Sequence, residues 1–343
     1  MAISLPPQDF VAPGFLSNAH LQSILPSLAL RRPWVERRAA RLLRHSRPLL
    51  LAAGDGVRLQ GFYSPRSAAR LQQDSSTAPT PKLVVIVHGW EGSAESLYVL
   101  SLAADLHACG YDVLRLNLRD HGETHHLNQG LFHSCRLAEV VEALRSIQQL
   151  FPAHGLYLTG FSLGGNFMLR AAVQAPTAGL SVTKVIGISP VLDPATTLDA
   201  LEQGWWLYRR YFVLKWSRSL RRKQNLWPHD FVFDGLLRSG DLRRMTEELV
   251  LEHTGFATVE EYFAGYALVG QRLAALSVPA VMVNALDDPI IPAVDLARIA
   301  RPASLRVLAP RHGGHCGFFD FSAGPGWVSR LVLQELADPP VMA

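Results

Sequence analysis

The chain has 343 residues, of which 48% are hydrophobic and 18% charged, and its formal net charge is +4. This composition is typical of a soluble globular protein with a large core, and the length fits one α/β domain plus an insertion. No apolar run approaches the roughly 20 residues that a membrane-spanning helix needs. Cys109, Cys135 and Cys316 are too far apart to indicate a disulfide framework or a thiolate zinc site.

The N-terminal region is predicted to be an arm, residues 1–47, ahead of the core domain. It lacks the basic start and the continuous apolar run of an export signal, which predicts a cytoplasmic protein. Segments 31–47 and 205–223 each hold seven Arg or Lys side chains. Such segments can approach anionic lipid, an acidic substrate or nucleic acid, but solvated helix faces explain them more simply. We therefore predict no nucleic-acid partner.

After the arm, apolar runs alternate with longer amphipathic stretches, which predicts βαβ units and a mostly parallel sheet flanked by helices. Pro48 to Tyr63 predicts two strands around the turn Gly54-Asp55-Gly56, an antiparallel edge of the sheet. The polar stretch Arg66 to Pro81 predicts an exposed loop. Further strands are predicted at Leu83–Val87, Asp112–Leu116, Leu156–Thr159, Val185–Ile188, Ala280–Asn284 and Leu305–Leu308.

The loop after the first of these buried strands reads His88-Gly89-Trp90-Glu91-Gly92. In acyl-transfer enzymes built on such a sheet, a loop at this position supplies a backbone N–H to the developing oxyanion. We expect Trp90 N–H to be this donor. The side chains of Trp90 and Glu91 have a purely structural role as an equally good interpretation.

A cluster of histidines and carboxylates, Asp120 to His126 with His133 beyond it, follows the strand Asp112–Leu116. Imidazoles and carboxylates are common metal ligands, so a metal site is one interpretation. The segment leaves the sheet at the same edge as the other candidate loops, and hydrogen bonding around a cleft explains it without a metal. We predict no metal and no cofactor.

The strongest motif is Gly160-Phe161-Ser162-Leu163-Gly164, which lies between a short apolar strand and the predicted helix Asn166–Gln174. G-x-S-x-G in this context is a nucleophile elbow, a strained turn that exposes the serine hydroxyl. Ser162 is therefore the predicted nucleophile. Leu163 N–H, at the start of a helix, is the predicted second oxyanion donor.

Between residues 193 and 277 the regular spacing of strand-like apolar runs ends. This region contains a predicted helical segment rich in aromatic and basic residues. We predict that residues 193–277 form a helical cap inserted between core segments 48–192 and 278–343. Peripheral membrane contact through the basic and aromatic residues 205–223 is an alternative. Packing over the cleft is favoured because basic and apolar residues intermingle around the helix.

A nucleophilic serine needs a histidine base and an acid that orients it, and in this fold they follow in the order Ser, acid, His. Asp287-Asp288-Pro289 follows one late strand, and His312-Gly313-Gly314-His315 follows the next. Asp288 is favoured over Asp287 because the residue before a proline takes an extended backbone. His315 is favoured over His312 because two glycines give its loop freedom to aim a side chain.

These motifs together resemble the YheT-like group of predicted α/β-hydrolase esterases, which is related to the eukaryotic abhydrolase-domain lipases. The resemblance runs through nearly the whole chain and implies an α/β-hydrolase fold. It implies a triad of Ser162, Asp288 and His315, and activity on short or medium acyl esters or acylglycerols. It is carried by Asn18-Ala19-His20-Leu21-Gln22, His88 to Ser93, Asn117 to Gly122, Gly160 to Gly165, Asn284 to Pro289 and His312 to His315.

The predicted function is hydrolysis of carboxylic esters with an apolar acyl group, through an acyl-enzyme. The same triad would serve an acyltransferase or a thioesterase, because the acceptor decides between them. The alternative outside enzymes is a binding module that has this fold but no catalytic activity. Ser162 argues against dehalogenase and epoxide hydrolase chemistry, which use an aspartate at the elbow in related enzymes.

Overall fold

A single sheet organises the computed structural model, which describes residues 10–66, 80–322 and 324–337. The strands are β1 (Arg47–Ala52), β2 (Arg58–Ser64), β3 (Lys82–Val87), β4 (Asp112–Leu116), β5 (Gly155–Phe161), β6 (Val182–Ile188), β7 (Ala280–Val283) and β8 (Leu305–Leu308). They are ordered β1-β2-β4-β3-β5-β6-β7-β8. β2 pairs antiparallel with β1 and β4, and the other neighbours pair in parallel. The predicted mostly parallel α/β sheet is confirmed.

Helices cover both faces of this sheet. They are α1 (Ala19–Ile24), α2 (Arg32–His45), α3 (Leu97–Ala108), α4 (Leu137–Leu150), α5 (Leu163–Gln174), α6 (Pro194–Gln203), α7 (Trp206–Leu226), α8 (Leu242–His253), α9 (Val259–Tyr266) and α10 (Trp327–Ala337). In the described ranges, none of these helices is both long and apolar enough to cross a membrane.

The predicted antiparallel edge is confirmed as the hairpin of β1 and β2. Its turn, Gly54-Asp55-Gly56, takes positive φ angles of 77°, 46° and 73°, a conformation that glycine and aspartate tolerate best. Most of the predicted loop 66–81 lies outside the described residues. The helix predicted from Asn166 begins earlier, at Leu163, directly after Ser162.

The core is built by alternation along the buried strands. Val85 and Val87 of β3 face a cluster with α4 and α5, whereas Val84 and Ile86 face a cluster with α2, α3 and α10. Each such side chain removed from water stabilises the fold by about 1.5 to 3 kcal/mol. Because both faces are buried, strands such as β3 are mostly apolar. Because β3 to β8 pair in parallel, their carboxyl ends meet at one edge of the sheet.

Four helices, α6 to α9, follow β6 before the chain returns to β7, and a buried ion pair attaches α7 to the loop after β4. Lys223 of α7 is fully buried, and its Nζ lies 2.8 Å from Asp120 Oδ1. The same Nζ donates to the carbonyl oxygens of Asn128, at 2.6 Å, and Gly130, at 3.2 Å. Burial lowers the pKa of Lys223 and raises the pKa of Asp120, although their mutual attraction opposes both shifts.

Replacing Lys223 with methionine should destabilise the protein by about 3 to 5 kcal/mol, because the buried charge of Asp120 would lose its cationic partner. Guanidinium denaturation of the wild type and Lys223→Met measures this. Arg221→Met is the matched control: Arg221 is exposed on the same helix, and its loss should change stability by less than about 0.5 kcal/mol. Equal denaturation midpoints for both variants would contradict the assigned role of the buried pair.

Candidate active site

The elbow at the end of β5 places Ser162 at the carboxyl edge of the sheet. Ser162 has φ 52° and ψ −120°, a strained conformation for a residue with a side chain. A Cβ atom at Gly164 would overlap the carbonyl oxygens of Val87 and His88, and one at Gly160 would overlap the backbone of Gly164. The glycines are therefore required because strand β5, helix α5 and the end of β3 pass at backbone contact.

The structure brings the predicted triad residues together in one hydrogen-bonded series. His315 Nε2 lies 3.0 Å from Ser162 Oγ, and His315 Nδ1 lies 2.9 Å from Asp288 Oδ2. In the neutral tautomer with hydrogen on Nδ1, the imidazole donates to Asp288 and accepts from the serine hydroxyl. The order of contacts is that of a nucleophile, a base and an orienting acid.

The alternative acid and histidine form a separate pair. His312 Nδ1 lies 3.3 Å from Asp287 Oδ2, and Asp287 Oδ1 accepts the backbone N–H of Gly314 at 2.9 Å. Asp287 therefore shapes the loop that carries His315 and makes no hydrogen bond to His315 itself. Side-chain exposures of 45% for His312 and 12% for His315 separate the two histidines further.

The carboxylate of Asp288 is held from both sides. Its Oδ1 accepts the backbone N–H groups of Ile290 and Ile291 at 2.9 and 3.0 Å, while Oδ2 faces His315. Burial disfavours a charged His315, but the adjacent charge of Asp288 outweighs burial and holds the pKa of His315 well above its ordinary value. The pair is thus arranged to stabilise an imidazolium.

Sequence reasoning missed the contribution of the N-terminal arm. Ser23 Oγ accepts the backbone N–H of His315 at 2.8 Å. Gln22 is completely buried, donates to the carbonyl oxygens of Leu16 and Phe319, and accepts the backbone N–H of Phe319. The sequence does not reveal these contacts, because Phe319 and His315 lie 297 and 292 residues from Gln22 and Ser23.

The segments that carry the two predicted oxyanion donors lie beside the serine. Leu163 is the first residue of α5, where backbone N–H groups have no acceptor within the helix. A Cβ at Gly89 would lie 3.2 Å from Ser162 Cβ, so the loop that continues to Trp90 passes against the nucleophile. The Tyr98 hydroxyl accepts the Gly89 N–H at 3.1 Å and holds this loop in place.

A cavity of about 280 Å³ opens over Ser162 and His315. Most of its wall is apolar or aromatic, and half of its lining residues come from the arm and from α7; these include Ile24, Leu28, Leu207, Tyr208, Tyr211 and Phe212. The Trp90 ring, stacked on Phe212 at 5.1 Å, separates it from a second apolar cavity of about 120 Å³. A wider surface cleft of about 1080 Å³ beside α8 and α9 contains none of the triad residues.

Two histidines of the cluster after β4 have structural partners. His121 hydrogen-bonds the carbonyl oxygen of Arg119, and His125 hydrogen-bonds Ser219 of α7. Burial lowers the pKa of His121 to about 4 and that of His125 to about 3, which leaves both neutral. Within the described part of the chain, no three His, Cys, Asp or Glu side chains converge as metal ligands would.

Fold and site together define an α/β hydrolase. Residues 82–322 match the family described by the alpha/beta hydrolase fold, and the chain belongs to this family. It is also 27% identical over 319 residues to the putative esterase YheT of Escherichia coli, covering 90% of this chain and 87% of YheT. This similarity confirms the resemblance to the YheT-like group.

Two mammalian lipases are more distant relatives. Phospholipase ABHD3 of Mus musculus is 21% identical over 79% of this chain and 66% of its own length. Monoacylglycerol lipase ABHD2 of Bos taurus is 24% identical over 55% of this chain and 49% of its own length. The chain thus spans less than two thirds of either lipase. The shared fold and these esterase and lipase relatives support hydrolysis of ester bonds.

Solved structures show the same fold at low identity. A serine hydrolase from Cycloclasticus zankles is 15% identical with a TM-score of 0.54, covering 85% of this chain and 99% of that one. A membrane phospholipase A is 14% identical with a TM-score of 0.55, covering 93% of each chain. At such identities the similarity shows the fold alone.

The elbow predicts that Gly164→Ala will be severely destabilising, by about 3 kcal/mol or more, because an added methyl group meets backbone atoms that cannot move aside. Gly235→Ala is the matched control, since a Cβ there meets nothing within 4 Å and φ is −66°. Thermal and chemical denaturation of both variants measure the difference. A Gly164→Ala protein as stable as the control would refute the close approach.

Proposed function

We propose that this protein is a serine hydrolase that cleaves carboxylic esters with Ser162 as the nucleophile. The observation that carries the proposal is the hydrogen-bonded series from Ser162 through His315 to Asp288, with both ring nitrogens of the histidine engaged. It lies at the floor of a mostly apolar cavity. An ester with a short or medium acyl chain is the proposed substrate.

In the proposed first half-reaction, Ser162 Oγ attacks the ester carbonyl carbon while its proton moves to His315 Nε2. Asp288 stabilises the resulting imidazolium through the hydrogen bond at Nδ1. The tetrahedral intermediate collapses, its bond to the alcohol oxygen breaks, and His315 returns the proton to that oxygen. The products of this half-reaction are the free alcohol and an acyl ester of Ser162.

Water completes the cycle by the same route in reverse. His315 takes a proton from water as the water oxygen attacks the acyl carbon, and it then returns that proton to Ser162 Oγ as the carboxylic acid leaves. In both half-reactions negative charge develops on the former carbonyl oxygen. The N–H groups of Leu163 and Trp90 are the proposed donors to it, and the N-terminus of α5 adds a favourable dipole.

The shape of the cavity supports an apolar acyl group of limited length. Its volume of about 280 Å³ is near the lower end of the roughly 300 to 1,000 Å³ common for small-molecule sites. Helices α6 to α9 are proposed to act as a cap, because Leu207, Tyr208 and Phe212 of α7 close the cavity opposite the sheet. The smaller cavity behind Trp90 can receive the end of a longer chain if that ring turns aside.

Hydrolysis of p-nitrophenyl esters from acetate to palmitate by the purified protein tests the proposal. We expect a maximum at a short or medium acyl length and a loss of at least about 10⁴-fold in kcat for Ser162→Ala, because the covalent route is removed. A fluorophosphonate probe should label the wild type and not this variant. Turnover that survives Ser162→Ala, or absence of turnover with every ester, would contradict the proposal.

The proton bound to His315 should control the acid side of the pH profile. Because its pKa is raised, kcat/KM should fall as pH drops through a value above the 6.5 of free imidazole, where the ring becomes protonated and can no longer accept the serine proton. Asp288→Asn should lower activity by up to about 10⁴-fold and move this limb to lower pH.

Asp287→Asn is the matched control for the acid, since it changes the neighbouring carboxylate that faces His312. Its pH limb should coincide with that of the wild type. If the acid limb of the pH profile moves in Asp287→Asn and stays in place in Asp288→Asn, the assignment of the acid is reversed. The measurement is kcat/KM for one p-nitrophenyl ester between pH 5 and 10.

A further inference from the structure

The triad cavity, which is the space of about 280 Å³ over Ser162 and His315, has a neighbour of different chemistry, the basic cavity. It encloses about 290 Å³, and four basic side chains line it: Arg32 from the start of α2, and Lys215, Arg218 and Arg222 from α7. The loop from Glu91 to Ser96 lines it as well. Glu91 directly follows Trp90, which lines the triad cavity, so one loop separates the two spaces.

Helix α7 also connects the two cavities along its axis. Leu207 and Tyr211 line the triad cavity, and Lys215, Arg218 and Arg222 continue the same helix face at spacings of three and four residues. With a rise of about 1.5 Å per residue, Lys215 and Arg218 lie roughly 6 to 10 Å beyond Tyr211. Because Tyr211 lines the cavity over Ser162, these two basic side chains lie one to two helical turns beyond the wall of that cavity.

The acidic side chains near this cavity are mostly engaged elsewhere. Asp120 pairs with the buried Lys223, and Glu95 lies 2.7 Å from the buried Arg115. On the basic side, Arg32 pairs with Glu36 and Arg222 with Glu123. In the described ranges no carboxylate lies within 4 Å of Lys215 or Arg218.

Glu91 is the remaining acidic group in the wall. It is partly buried, and desolvation raises its pKa to about 8 despite the nearby charge of Lys215, so it is largely neutral at pH 7. His121 and His125 in the same wall are neutral as well. Lys215 and Arg218 therefore give the cavity an uncompensated positive charge that an anion with several oxygens would neutralise.

We propose that the cavity of Arg32, Lys215, Arg218 and Arg222 binds a phosphate group on the alcohol portion of the ester while the acyl portion lies over Ser162. This inference rests on the proposed esterase function and names the substrate class for the same site. An arginine fork and a lysine ammonium offer several donors to the phosphate oxygens, which a neutral alcohol cannot use. The substrate is a phosphorylated acyl ester.

The test compares 1-butyrylglycerol 3-phosphate with 1-butyrylglycerol, two soluble esters that differ only in the phosphate. In the wild type, kcat/KM should be at least about tenfold higher for the phosphorylated ester. In the double variant Lys215→Gln, Arg218→Gln that ratio should fall about tenfold. Arg221→Gln is the control, because Arg221 carries the same charge on the same helix outside the cavity lining, and the ratio should stay at the wild-type value.

Binding separates this inference from the catalytic proposal. Calorimetry should show that glycerol 3-phosphate binds to the Ser162→Ala protein. Adding the double substitution Lys215→Gln, Arg218→Gln should weaken this binding about tenfold or more, whereas adding Arg221→Gln should leave it unchanged. Lack of turnover with both esters, together with this binding pattern, would refute the esterase proposal and keep the anion site. A ratio near one in the wild type, or equal binding in all variants, would overturn the anion site.

The source of the phosphate is decided by a parallel assay on phosphatidic acid in phosphatidylcholine vesicles. Cleavage that depends on Lys215 and Arg218 identifies a lipid headgroup as the ligand. Cleavage of only the soluble phosphorylated ester, with the same dependence, identifies a water-soluble substrate. If Arg221→Gln impairs cleavage of the vesicle lipid as much as the double variant does, the assignment to this cavity is overturned. The general positive charge of the surface would then explain the dependence on basic side chains.

Discussion

Backbone contact between the elbow and the end of β3 is the constraint on which the rest of the site depends. Gly164 leaves no space between α5 and the carbonyl oxygens of Val87 and His88. This contact fixes Ser162 relative to the loop that begins at His88, so the serine hydroxyl and the two proposed oxyanion donors keep their relative positions. The strain at Ser162, with φ 52°, persists because packing on both sides holds the turn.

The histidine is held by parts of the chain that are distant in sequence. Ser23 and Gln22 from the N-terminal arm bind the loop that carries His315, and Asp287 binds the same loop from the end of β7. The arm is thus part of the candidate active site rather than an appendage to the core. Because a catalytic geometry tolerates errors of only about 0.5 Å, these supporting hydrogen bonds matter as much as the three residues that they position.

Helix α7 contributes both to the stability of the fold and to the proposed binding of the substrate. Its buried Lys223 attaches it to the loop after β4, its first turns close the triad cavity, and its middle turns supply the side chains of the basic cavity. One rigid element therefore sets the distance between the space over Ser162 and the positive charge of Lys215 and Arg218. A substrate that uses both would be selected by the separation of its ester and its anionic group.

The sequence by itself determined the positions of the strands along the chain, the nucleophile elbow and the two candidate pairs after β7 and β8, because these features depend on local periodicity and on turn chemistry. It preferred Asp288 and His315 only by backbone tendencies, whereas the tertiary structure pairs Asp288 with His315 and Asp287 with His312. It also left Gln22, Lys223 and the basic face of α7 without roles. Gln22 is 297 residues from Phe319 and Lys223 is 103 residues from Asp120, and only the folded chain brings such groups within hydrogen-bonding distance.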